Sequence, residues 1–189
     1  ELTFGAGAGL DVGVGTPIAI TERNGSSVTG LAGLRFFTRY NVTTEQPRVP
    51  GIGFRLDGVL PVGSEAGSGF GAFGSILLTR SLGRNRLHLN AGASLRRSEM
   101  PDGAEPLPRW RAGLAFDHTL LRTSTLLVIE LVAKREWMAT DISVSPGVGV
   151  RRQLTPTLVL DGGVRFDRPS VTIGLSHVFG FAGLMPGGR

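Results

Sequence analysis

The sequence predicts an all-β protein, a single up-and-down antiparallel sheet of about ten strands, and three observations carry that prediction. Apolar residues recur with period two through most of the chain, the spacing at which strand side chains share a face. Turn-forming residues interrupt the alternation at intervals. Glycine supplies 29 of the 189 residues, a composition that disfavours helices.

The first segment, 2–14, is the cleanest. Leu2, Phe4, Ala6, Ala8, Leu10, Val12 and Val14 fall on one face, and Thr3, Gly5, Gly7, Gly9, Asp11 and Gly13 on the other. The other nine are 31–42, 49–60, 70–80, 87–97, 109–120, 126–137, 142–152, 158–167 and 171–181. Gln46-Pro47, Gly63-Ser64, Leu82-Gly83-Arg84-Asn85, Pro101-Asp102-Gly103, Thr155-Pro156 and Asp167-Arg168-Pro169 punctuate them, and Asn24-Gly25 marks a turn inside the long connection 15–30. In the last segment Val171, Ile173, Leu175, Phe179 and Phe181 oppose Thr172, Gly174, Ser176 and Gly180. Ordinary strands run about 5–6 residues. These segments instead match the roughly 9–11 residues a tilted strand needs to cross a bilayer.

Alternation leaves open which face is inside, because a soluble barrel or sandwich buries its apolar face whereas a transmembrane barrel turns it to lipid. Three features favour the transmembrane β-barrel. The polar face is rich in glycine, which weakens solvent-facing strands but leaves room in a narrow lumen for charged side chains. The aromatics sort by height. With the strands threaded up and down, Phe4, Tyr40, Phe116, Phe179 and Phe181 gather at the periplasmic end, and Phe70, Trp110, Trp137 and Phe166 at the other, as two aromatic girdles. The two longest connections, 15–30 and 98–108, fall on the outer side, whereas 43–48, 81–85, 121–124 and 153–156 are short. Ten strands place both termini in the periplasm.

The inward set is Asp11, Arg35, Arg39, Arg55, Asp57, Arg96, Arg109, Arg111, Asp117, Glu130, Lys134, Glu136, Arg151, Asp161 and Arg165, six acids and nine bases. Enclosed charges must pair or stay wet. An ion-pair lattice that nearly closes the lumen is the favoured expectation; a narrow, weakly anion-selective pore is the alternative.

The closing segment, with alternating apolar residues and a terminal Phe181, resembles the last strand of bacterial outer-membrane β-barrels, where such a phenylalanine is read by the assembly machinery. The Pro-Gly-Gly tail at 186–188 resembles the linker of the OmpA-type arrangement, in which a small barrel anchors a following periplasmic domain. The resemblance implies a barrel over 1–181 with a tail or linker at 182–189, in the Gram-negative outer membrane. It also implies partners among lipid and lipopolysaccharide, other envelope proteins or a fused periplasmic domain.

Other chemistries find little footing. The chain has no cysteine, which excludes disulfides, Cys-ligated zinc and Cys catalysis. Its net charge of +5 is spread along the chain without a basic run, so nucleic acid is not an expected partner. No 18-residue apolar stretch exists; the best, 126–133, contains Glu130. Gly69, Gly71 and Gly74 copy the spacing of a dinucleotide loop, but a strand and not a helix follows. Asn24-Gly25-Ser26 and Asn41-Val42-Thr43 match a glycosylation pattern that a bacterial outer membrane makes accidental.

Some outer-membrane barrels are hydrolases, and His88, His118 and His177 are the candidate catalytic bases here. All three thread toward the periplasm, Asp117 and His118 point to opposite faces, and no His-x-Ser spacing offers a nucleophile. No catalytic residue, metal site or cofactor is therefore expected. The expected role is a non-enzymatic membrane anchor or structural component of an envelope assembly, ahead of the pore, with a hydrolase third.

Overall fold

The computed structural model describes residues 1–23, 26–66, 68–96, 108–120, 124–167 and 170–179, without the side chains of 19–23 and 96. All regular structure among them is strand: β1 (Leu2–Gly5), β2 (Leu10–Gly15), β3 (Ile18–Arg23), β4 (Ser26–Leu31), β5 (Leu34–Thr43), β6 (Gly51–Leu60), β7 (Gly71–Leu82), β8 (Asn85–Arg96), β9 (Trp110–Leu120), β10 (Thr125–Arg135), β11 (Ser143–Thr155), β12 (Leu158–Arg165) and β13 (Ser170–His177). Eleven form one sheet in the order β1-β2-β5-β6-β7-β8-β9-β10-β11-β12-β13, and β3 pairs with β4 in a separate ribbon. Every pairing is antiparallel, so the main sheet is an up-and-down meander.

Pairing keeps like with like, as register must when one face differs from the other. Leu114 and Phe116 oppose Leu131 and Ile129, while Arg111 opposes Lys134 and Gly113 opposes Val132. Turn length sets this register. Leu82 and Asn85 pair directly across two residues, and Gly83 takes the left-handed φ of +67° that so short a connection requires. The connection 44–50 is longer, and β7 clips it down. The Arg80 guanidinium donates to the carbonyls of Gln46 (2.7 Å) and Pro47, and Glu45 accepts from the Ser81 amide and hydroxyl.

Three expectations need correction. Segment 2–14 is not one strand: the chain reverses at 6–9, with Gly7, Ala8 and Gly9 all at positive φ, so β1 folds back on β2. That reversal lifts Phe4 to pair with Val12, away from the turn end where Leu10 pairs with Tyr40. The connection 15–30 holds the β3–β4 ribbon, tied to the next connection by the Glu65 amide donating to the Leu31 carbonyl (3.0 Å). Finally, the ten-stranded ring is not closed in the hydrogen bonding, since β1 and β13 stand at opposite margins of the sheet.

The sheet nevertheless curls. Arg35 on β5 and Arg165 on β12 are seven strand positions apart, about 34 Å if flat, yet both line one cavity of about 340 Å³. The concave side holds Phe37, Val59 and Phe73, the large buried apolar side chains among the described residues, together with the buried Asp117 and Ser145.

Candidate functional site: the charged concave face

Strand parity brings most of the predicted inward charges to this face. Four ion pairs and one histidine–carboxylate hydrogen bond organise them among the described residues. Arg39 on β5 grips Asp11 on β2, its direct cross-strand partner, through Nη2 (2.6 Å) and Nε (3.0 Å). Arg55 grips Asp57 two residues on (2.7 Å), with its guanidinium 4.0 Å from the centre of the Phe37 ring. Arg151 and Asp161 face each other across β11 and β12 at 3.2 Å. Lys134 meets Glu136 at 3.1 Å, and His88 meets Asp117 at 2.9 Å. The part-exposed Arg–Asp pairs are worth only about 0–1 kcal/mol each; their role is to satisfy charge on a curled face.

Glycines make the space for these side chains. A Cβ on Gly13 would lie 2.3 Å from the Phe37 ring, one on Gly92 2.6 Å from Phe73, and one on Gly174 2.1 Å from the Asp161 carboxylate. Each large side chain lies over a neighbouring strand's bare backbone. Phe73 in turn carries the Arg111 guanidinium 5.3 Å above its ring, and Trp137 carries that of Arg109 at 5.8 Å.

The remaining predicted charges divide. Arg35, Arg111, Glu130 and Arg165 line the same cavity. Arg109 lies just before β9 and Glu136 just after β10, and the side chain of Arg96 is outside the described residues. Of the predicted aromatics, Tyr40 and Phe116 stand on the convex side toward the turn end, with Phe179 just past β13. Trp110, Trp137 and Phe166 lie toward the other end, where Phe70 stacks on Phe36 at 6.1 Å. Phe181 and the 182–189 tail fall outside the described residues, as does Asn24-Gly25.

One constellation escaped the sequence reading. His88 accepts or donates at Nδ1 to the Thr79 hydroxyl (3.0 Å) while its Nε2 meets Asp117 (2.9 Å), a hydroxyl–imidazole–carboxylate chain across β7, β8 and β9. Local spacing could not reveal it, but counting outward from the two-residue turn at 83–84 pairs Thr79 with His88. His118 instead bonds Asn85 (2.7 Å), and His177 packs on Phe179 with ring centres 4.3 Å apart. Outside the strands, the Ser81 amide and hydroxyl hold the Glu45 carboxyl below its ordinary value. Among the described residues no three His, Asp or Glu side chains converge as a metal-ligand group.

No protein-family model matches this chain, and no curated protein is similar to it in sequence.

Proposed function

We propose that this chain is a non-enzymatic, integral outer-membrane β-barrel that serves as a membrane anchor or structural component of an envelope assembly. The observation that carries this reading is an inverted distribution of polarity. The convex side is apolar on strand after strand and open to the surroundings, as at Phe54, Ile76, Leu114, Ile129 and Val144. The concave side holds the ion pairs. A water-soluble protein of this size covers its apolar face; a lipid-facing barrel does not.

In this reading the ring closes with ten strands. An up-and-down sheet of eleven has its first and last strands running the same way, so β1 and β13 could meet only in parallel. If 2–14 runs as one strand, the count falls to ten and that strand meets 170–177 antiparallel, as the even-stranded barrels do. The uninterrupted alternation of 2–14 supports this.

The chain has no cysteine of its own, so cross-linking tests closure cleanly. Cysteines at Ala6 or Ala8 paired with cysteines at Val171 or Ile173 should give a disulfide in detergent-folded or vesicle-inserted protein. Leu160→Cys with Leu175→Cys, direct partners across β12 and β13, is the positive control. The anchor reading itself requires a detergent-dependent protein whose migration in SDS changes on boiling. A protein monomeric in plain buffer defeats it.

A further inference from the structure

We propose that the concave face contains a binding site for a small oxyanion of the phosphate or sulfate class, held by Arg35, Arg111 and Arg165. The inference stands on the curled sheet and does not need the membrane reading.

The three guanidiniums come from β5, β9 and β12 and line the same cavity of about 340 Å³. Elsewhere on this face most of the charges have a partner: Arg39 has Asp11, Arg55 has Asp57, Arg151 has Asp161, Asp117 is hydrogen-bonded to His88, and Arg109 lies over the Trp137 ring. Lys134, which also lines the cavity, has Glu136. Arg35, Arg111 and Arg165 have no hydrogen-bond or ion-pair partner among the described residues. Glu130 is the one carboxylate among the described residues that line the cavity, and it makes no ion pair with any of them. It lies against Gly147, the residue between it and Arg165 in the cross-strand row. Three cations against one acid leave an excess of two positive charges in a space walled by protein.

Like charges crowded in a space of reduced dielectric repel strongly, and a bound anion is the direct remedy. The chemistry favours an oxyanion over a halide. Guanidinium is a planar fork of N–H donors matched to paired oxygens. Arg111 is held at the cavity wall through its Phe73 contact, and Phe73 is seated over Gly92, so part of the ordering cost is met in advance. The Asn90 amide adds a neutral donor at the same wall.

The test is titration of inorganic phosphate, with chloride as comparison, into full-length protein folded in a non-ionic detergent, read by calorimetry. Saturable phosphate binding that outcompetes chloride is expected. Arg111→Gln and Arg165→Gln should each weaken it roughly tenfold or more, about one charge-assisted hydrogen bond. Arg152→Gln, on the convex side, should leave it unchanged. A β-sheet circular-dichroism spectrum with a cooperative unfolding transition verifies that each variant is folded, and Arg111→Lys substitutes should either glutamine variant fail that check. No saturable phosphate binding to the wild-type protein overturns the site, as does equal binding by all folded variants. Binding only of an anionic lipid, with phosphate inert, would also overturn it.

Discussion

The middle of the sheet and its two margins obey the same alternation and end differently. From β6 to β10 each strand is paired on both sides, and convex residues such as Leu114 and Leu131 are 42% and 46% exposed. On β13 the equivalent residues Val171, Ile173 and Leu175 reach 73%, 79% and 68%, with β12 on one side only. The chemistry of β13 is no different; it lacks a neighbouring strand's worth of cover. At the opposite margin β2 has its cover, but from β1, four residues folded back from its own chain. The margins therefore differ in what covers them: the chain's own β1 lies beside β2, and β13 is paired with β12 alone.

The largest effect is expected in the middle. If the proposed membrane barrel holds, Leu114→Arg places a cation at mid-membrane on the lipid side and should cost roughly 2–4 kcal/mol in lipid vesicles, measured by denaturant titration. A cost within the noise would remove the lipid-facing assignment from the whole convex face. Next comes the relay at the turn end: Asp117→Ala strips the His88 ring of a buried partner and should cost about 1–3 kcal/mol. Hydrolysis of a phospholipid or peptide substrate, lost on His88→Ala, would show that the relay does chemistry instead.

A smaller effect separates the two arrangements of the first margin. Ala8 sits at φ +49°, where a β-branched residue is strained by about 1–3 kcal/mol. In one continuous strand, with position 8 facing lipid, Ala8→Val should instead be nearly neutral, within about 0.5 kcal/mol. Neutrality in vesicles supports the closed ring, and a clear loss of stability fixes the hairpin. The smallest effect lies in the connection 44–50. Ser81 lowers the Glu45 pKa in the folded state, so that carboxylate stabilises the fold above its ordinary value of 4.5 and the contribution fades as pH falls below it. Glu45→Gln should flatten the pH dependence of the unfolding midpoint in that acid window and leave it unchanged near neutrality.

What could be read in advance follows from how local its cause is. The alternation in 109–120 and 126–137 assigns Arg111, Asp117, Glu130 and Lys134 to one face whatever they pair with, because period two depends on the strand alone. The reversal at 6–9 could not be read that way. Gly5, Gly7, Gly9 and Gly13 suit a small-residue strand face, and the same Gly7 and Gly9 suit a turn. The alternation of Ile18, Ile20 and Val28 is too short to tell strand from loop, and the β3–β4 ribbon rests on cross-strand pairing that local spacing does not carry. The Thr79–His88–Asp117 chain needed the register of two hairpins at once, and the partnerless trio Arg35, Arg111 and Arg165 needed the curl of the sheet.

The rings seated over bare backbone have a consequence for how this sequence can change. Gly58, the cross-strand partner of Phe36, cannot take even an alanine while that ring lies over it, whereas at Gly13 and Gly92 a backbone carbonyl stands in the way as well, at 2.9 and 2.6 Å. Substitution at such a pair is ordered: the ring must shrink first, and the glycine is released only afterwards. The two positions are therefore epistatic, and related sequences that drift from this one should exchange ring and glycine together, in that sequence of steps, far more often than either alone.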